Sequence, residues 1–285
     1  MSDERRDGLL AQALTHLALL LAVGFALYPV LWVISLALSP SGAPPARPVP
    51  VPDAVSLDSF RAVALSHDSA GRWLFGRQLA NSLVVSLATA LASVALATPA
   101  AYALARFRFV GDRASVRVLL ATQMFPGVAT AVPLYVILDA LHLLDTRSGL
   151  VLVYATTALP FALFQLRGAF EAIPRELEEA AMVDGATRWQ AFVKVVLPAA
   201  RPGIAVTCLY AFMAAWNEFI LAATFLSREE AFTLPVALQR YVGEYDAQWG
   251  RFAAGAVLVS VPVMAMFYAV QRHLVGGLTA GSVKG

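Results

Sequence analysis

Charge is what this chain has least of. Asp, Glu, Lys and Arg make up only 14% of its 285 residues, whereas 59% are hydrophobic, and its mean hydropathy is +0.68. That balance excludes an ordinary water-soluble domain and points to a bilayer. The formal net charge of +2 is small and its basic residues are scattered, so no nucleic-acid partner is expected. One cysteine, Cys208, lies in an apolar run, which rules out an internal disulfide framework and a cysteine-based metal site. The four histidines, His16, His67, His142 and His273, are dispersed, and neither H-E-x-x-H nor G-x-S-x-G occurs. There is also no G-x-x-x-x-G-K-[ST], so ATP-driven work by a P-loop has to be delegated to another chain.

What is abundant is long apolar sequence. A helix crosses a bilayer with about 20 mostly apolar residues. Six stretches qualify: about 11–38, 79–104, 116–141, 149–166, 204–225 and 252–271. The expected fold is therefore an all-α membrane protein, a single transmembrane domain over 1–285 with both termini on one side. The first stretch is too long for a signal-peptide core and reads as a retained span. Lysine and arginine in short loops favour the cytoplasm. Arg106, Arg108, Arg113 and Arg117 fall in one short loop and only Arg147 in the opposite one, which sets both termini inside. Outside then lie the proline-rich "SPSGAPPARPVPVPD", a stiff extended spacer, and the mixed segment from Ser227 to Gly250. Prolines such as Pro99, Pro133, Pro160 and Pro262 within or beside spans fit helices that bend.

Against this background one polar segment, about 171–202, stands out between the fourth and fifth spans. It reads as helix, turn, helix. Pro174 suits a first helical position, and Glu176, Glu178 and Glu179 place negative charge where the helix dipole favours it. Gly185 supplies a C-terminal stop, and Thr187 with Gln190 has capping-box spacing for a second helix that Pro198 closes. Ala180 and Ala181 beside Glu179 leave room for another protein surface to approach. On this chemistry two readings stand: docking to a soluble partner, or an amphipathic pair lying at the membrane surface.

The run "EAAMVDGATRWQAFVKVVLP" resembles the EAA loop of binding-protein-dependent ABC importer permeases. Glu179, Ala180 and Ala181 are followed by Gly185 after three residues, then by Val195 in the usual isoleucine position and by Leu197 and Pro198. "NSLVVSLATALASVALATPAAYALARFRF", "MFPGVATAVPLYVILDALHLLDT", "WNEF" and the terminal "GLTAGSVKG" are similar to the carbohydrate-uptake branch, and to its MalG-type maltose and maltodextrin members in particular. The resemblance implies a type I importer permease fold in the bacterial cytoplasmic (inner) membrane. It implies as partners a second homologous permease (MalF-like), two cytoplasmic ATPase subunits (MalK-like) and an extracytoplasmic sugar-binding protein. ATP and magnesium would sit on the ATPases, and this chain would bind no cofactor and catalyse no bond change. It gives the docking role to Glu179, Ala180, Ala181, Asp184, Gly185, Leu197 and Pro198. The C-terminal tail, with Gly277, Thr279, Gly281 and Lys284, is expected to be flexible and to reach toward the ATPases. The outer loop, with Phe232, Tyr241 and Tyr245, would face the binding protein, while Trp249 suits an interfacial aromatic belt.

The two charged candidates within the spans are Asp139, near an end, and Glu218, deeper and next to Asn217. For Asn217 and Glu218 a structural hydrogen-bond role and a pathway or gating role both remain open. An ABC permease for a different small solute is one alternative, and half of a gradient-driven secondary transporter is the competing class. It would ordinarily carry coupling carboxylates near the midplane, and Glu218 is the single candidate.

Overall fold

The computed structural model describes residues 2–40, 42, 49–124, 127–243 and 247–280, and among these no β-strand forms. In chain order the helices are α1 Ser2–Leu38, α2 Asp58–Ala64, α3 Leu74–Arg106, α4 Asp112–Gln123, α5 Ala131–Ala140, α6 Arg147–Glu171, α7 Glu176–Val183, α8 Arg188–Ala191, α9 Leu197–Ala199, α10 Arg201–Trp216, α11 Ile220–Phe225, α12 Leu234–Gln239 and α13 Trp249–Ala280. Four segments are single helices long and apolar enough to cross a membrane: Ala11–Leu38, Leu74–Arg106, Arg147–Glu171 and Trp249–Ala269. Two further spans arise if each of two bent pairs counts as one, giving up to six.

Both bent pairs have a local cause. The expected 116–141 span is divided: α4 stops at Gln123, a 3₁₀ turn covers Gly127–Thr130, and Pro133 sits in the first turn of α5, where its missing N–H costs nothing. Those two halves lie at 94°. The expected 204–225 span is interrupted at Asn217–Phe219, because the Glu218 carboxylate takes the backbone N–H groups of Leu221 and Ala222, at 2.8 and 3.0 Å, and starts α11 afresh. Upstream, Arg188–Ala199 and Arg201–Trp216 meet at 71°. Pro198 and Pro202 flank that bend and remove two donors from it.

The chain divides into two compact units, Met1–Phe75 with Leu238–Ser260, and Gly76–Ala237 with Val261–Gly285. In the first, α1 is exposed from Ala11 to Leu31 and packs only near its end, where Leu36 and Ala37 meet Ala253, Ala254, Trp32 and Phe60. A tight turn precedes α3. Its Asp68 carboxylate accepts from the N–H of Ala70 and Arg72 and from Arg72 Nε, at 3.0, 2.9 and 2.8 Å. The Arg72 backbone bond holds the acid below the usual carboxylate range. The proline-rich connection lies mostly outside the described residues.

The second unit has two apolar cores, and α6 runs through both. Near its start Leu150, Val153 and Tyr154 pack with Leu138, Leu221, Phe225, Phe232 and Val236. Near its end Leu163, Leu166 and Phe170 pack with Ala97, Ala101 and Ala105 of α3 and with Phe192 and Val196. Alanines spaced four apart on α3 let the aromatic side chains of the second core reach the helix backbone. Close approach recurs where α6 meets α10: a Cβ added at Gly203 would lie 2.6 Å from Ala169 Cβ, and Phe161 stacks on Tyr210 with centroids 3.6 Å apart.

Candidate functional site

The 171–202 loop folds as the helix, turn and second helix its residues imply. Arg175, already in helical geometry, accepts the N–H of Glu178 and of Glu179, so the first helix begins just after Pro174. At its end the N–H of Ala186 returns to Ala181 O, the N–H of Gly185 returns to Met182 O, and Gly185 has φ +89°. This is a Schellman closure, and it requires the left-handed residue that glycine supplies. Thr187 and Gln190 form a complete capping box. The expectation fails in detail at both helices: Pro174 lies outside the first, whose N-cap is Arg175, and the second is α-helical only over Arg188–Ala191, widens to a π-helical turn over Phe192–Val196 and continues through Pro198 to Ala199. Pro198 has no N–H to return to Lys194 and its ring crowds that carbonyl, so the turn before it opens.

The two neighbouring glutamates of the first helix point in different directions, as a rotation of about 100° per residue demands. Glu179 is exposed with Ala180, Asp184 and Gly185, while Ala181, Leu197 and Pro198 are half-buried. Glu178 is buried and forms an ion pair with Arg106. Tyr102 Oη donates to its other oxygen at 2.8 Å. Arg106 also donates to Ile173 O at 2.9 Å, and Arg175 reciprocates with a bond to Ala105 O at 3.2 Å. Sequence reasoning missed this network. Its one signal was the spacing of Tyr102 and Arg106, four apart on the last turn of a span.

Around Glu179 the loop also exposes apolar groups: Val183 is 87% exposed and Trp189 68%, and Leu177 and Met182 are exposed as well. Solvated charge and bare apolar surface on one small element are the marks of a contact surface.

The second polar constellation joins the start of α3 to the segment after α11. Asn81, 2% exposed, donates from Nδ2 to the carbonyls of Glu230 and Phe232 at 2.9 and 3.0 Å and accepts from Arg147 Nε at 2.8 Å. Gln78 donates to Glu229 O, and Ser82 Oγ accepts the Leu234 N–H at 2.7 Å. Asp145, with φ +56°, accepts from the N–H of Ser227 and of Arg228. The outer segment is thus tied down over its first half. Phe232, placed by its sequence on a surface facing a partner, is instead 2% exposed in the first core. Its flanking carbonyl bonds to Asn81 draw it inward. Tyr241 is half-buried, and burial pushes its phenol up against a smaller opposing effect of Arg251. Tyr245 lies outside the described residues, as do Gly281 and Lys284. Gly277 and Thr279 belong to α13, which continues to Ala280, so the start of the expected flexible tail is helical.

Glu218 is half-buried, and besides starting α11 it accepts a 2.6 Å bond from Tyr154 Oη. Asn217 is exposed and returns its amide to Met213 O. Both Glu218 oxygens are engaged with the fold, and among the described residues no group of His, Cys, Asp and Glu could hold a metal ion.

Long apolar helices carrying a polar loop that exposes charge and apolar surface together define an integral membrane component. The chain belongs to the family described as binding-protein-dependent transport system inner membrane component, which matches residues 77–279. It is 39% identical over 279 residues to the trehalose transport system permease protein SugB of Mycobacterium tuberculosis, covering 96% of this chain and 99% of that one. It is 38% identical over 290 residues to the maltose/maltodextrin permease MalG of Salmonella typhimurium, covering 95% of each. A bacterial ABC transporter involved in the import of the acidic polysaccharide alginate superposes with a TM-score of 0.75 at 25% identity, covering 92% of this chain and 96% of that one.

Proposed function

We propose that this chain is one of two homologous permeases of an ATP-driven sugar importer in the bacterial inner membrane, with six spans and both termini in the cytoplasm. The relatives by name carry trehalose or maltose and maltodextrin, so a neutral di- or oligosaccharide is the substrate class. The single observation that carries the docking half of the proposal is the exposed face of the 171–202 loop, where Glu179 and Gly185 stand among bare Val183 and Trp189. One of two cytoplasmic ATPase subunits takes that face, and the pair supplies ATP and magnesium. The long exposed face of α1 offers apolar surface to lipid and to the second permease. Outside, a sugar-loaded binding protein meets the loop around Tyr241 and Tyr245. The C-terminal residues Gly281 and Lys284, following Gly277 and Thr279, extend toward the ATPases. Closure of the ATPases on ATP moves the docked loops, and the spans carry that motion to open one side of the pathway or the other. Asn217 and Glu218 break the fifth span beside that pathway, with Glu218 serving as a structural brace.

The lone native cysteine makes a direct test simple. In a Cys208→Ser background, Val183→Cys is expected to react with a membrane-impermeant maleimide in inside-out vesicles and not in intact cells. Co-expression with the ATPase should slow that labelling at least tenfold. Labelling from outside would overturn the orientation. Slow labelling whether or not the ATPase is present would favour a loop lying in the membrane surface.

A further inference from the structure

Two adjacent glutamates on one short helix differ completely in their surroundings, and that difference assigns them different work. Glu179 is exposed, whereas the Glu178 side chain is 10% exposed and the Arg106 side chain it pairs with is 6% exposed. Both carboxylate oxygens of Glu178 are used, one by Arg106 and one by Tyr102. Tyr102 and Arg106 are four residues apart, so they share one face of α3, and α3 is one of the long helices able to cross the membrane. Around them the Tyr102 ring lies 4.3 Å from Phe192 and 5.9 Å from both Phe107 and Phe170, centroid to centroid. The two bonds to backbone carbonyls, Arg106 to Ile173 and Arg175 to Ala105, close the same junction from both sides.

We infer that Glu178, Arg106 and Tyr102 form a latch that makes the docking helix and the end of α3 move as one piece, so that Glu178 is a positioning residue for coupling while Glu179 meets the partner. The inference deepens the proposed docking role of the loop and depends on it. Displacing α7 without α3 would separate two largely buried charges and break the Tyr102 bond at the same time. A push on the exposed face is therefore delivered to α3. Apolar packing holds the two helices together, and the ion pair with its hydrogen bonds adds a fixed donor–acceptor geometry that specifies one relative placement.

The test is the number of sugar molecules imported per ATP hydrolysed by the full complex in proteoliposomes. The complex contains this chain, the second permease, the ATPase and the binding protein, and labelled trehalose and labelled maltose are run in parallel as probes. Glu178→Gln is expected to keep the ATPase bound, to hydrolyse ATP with reduced dependence on the binding protein, and to lower the import-to-hydrolysis ratio at least fivefold. Arg106→Lys should lower the ratio two- to fivefold and Tyr102→Phe about twofold. A latch that served folding alone would lower the amount of complex and leave the ratio in assembled complexes unchanged, and that result overturns the inference. If Glu178→Gln fails to assemble, the ratios of Arg106→Lys and Tyr102→Phe decide by the same criterion. A wild-type complex showing no ATP-dependent import of either sugar would remove the proposed function itself; a coupled wild type with equally coupled variants would remove only the latch.

Discussion

Gly185→Val is expected to cut ATPase co-purification roughly tenfold or more while the permease itself remains folded. Gly185 has φ +89° and a Cβ there would meet nothing within 4 Å. The penalty is therefore one of backbone conformation and not of space. A non-glycine residue held in such a region costs about 1 to 3 kcal/mol, most for a β-branched one. To escape that strain the turn has to abandon the Schellman bonds from Gly185 to Met182 and from Ala186 to Ala181. α7 would then end at a different angle to the capped start of α8, and the face presented by Glu179, Val183 and Trp189 would be lost as a unit. About 1.4 kcal/mol is a factor of ten in an equilibrium constant, which sets the size of the effect. Gly185→Asn provides the control, since asparagine visits the left-handed region several-fold more readily than other residues. It should restore most of the binding. Equal ATPase recovery from the valine variant and wild type would show that the turn is not part of the contact.

The second large effect lies at Asn81. Replacing it with leucine strips hydrogen bonds from two carbonyls, Glu230 O and Phe232 O, and removes the acceptor for Arg147 Nε. Each carbonyl left without a partner costs about 1 to 3 kcal/mol, whereas Arg147 is exposed and turns to water at little cost. The sum is about 2 to 6 kcal/mol. For a chain of this size that corresponds to a melting temperature lower by roughly 10 °C, measurable by thermal unfolding in detergent. Asn217→Leu is the matched comparison: its exposed amide returns only to Met213 O in its own helix, so its melting temperature should stay near that of the wild type. If both variants melted alike, Asn81 would not be the post that holds the outer segment.

These two sites differ in how far the sequence disclosed them. The loop was readable because its code is local. A capping box and a left-handed glycine each act within four residues, and Thr187 and Gly185 act as expected, whereas Pro198 widens the turn before it and the helix continues through it to Ala199. The long apolar helices were readable by composition, yet the breaks at Gly127–Thr130 and at Asn217–Phe219 were not. The second depends on which way one carboxylate turns, and Glu218 turned to Leu221 and Ala222. Contacts distant in the chain were the least visible. Asn81 meets residues about 150 positions away, and Arg106 meets Glu178 across 72. Nothing in an apolar run says which face of α3 carries the partner. Phe232 shows the same limit: its aromatic character suggested a surface for recognition, and the structure buries it in the first core.

The central claim is that this chain converts partner-driven ATP hydrolysis into sugar import without chemistry of its own. The most direct measurement is ATP hydrolysis by the ATPase reconstituted with both permeases, with and without the sugar-loaded binding protein. The account predicts stimulation of tenfold or more that disappears when this chain is omitted or carries Gly185→Val. Hydrolysis indifferent to the binding protein, with uptake that instead collapses when a proton or sodium gradient is dissipated, would contradict it.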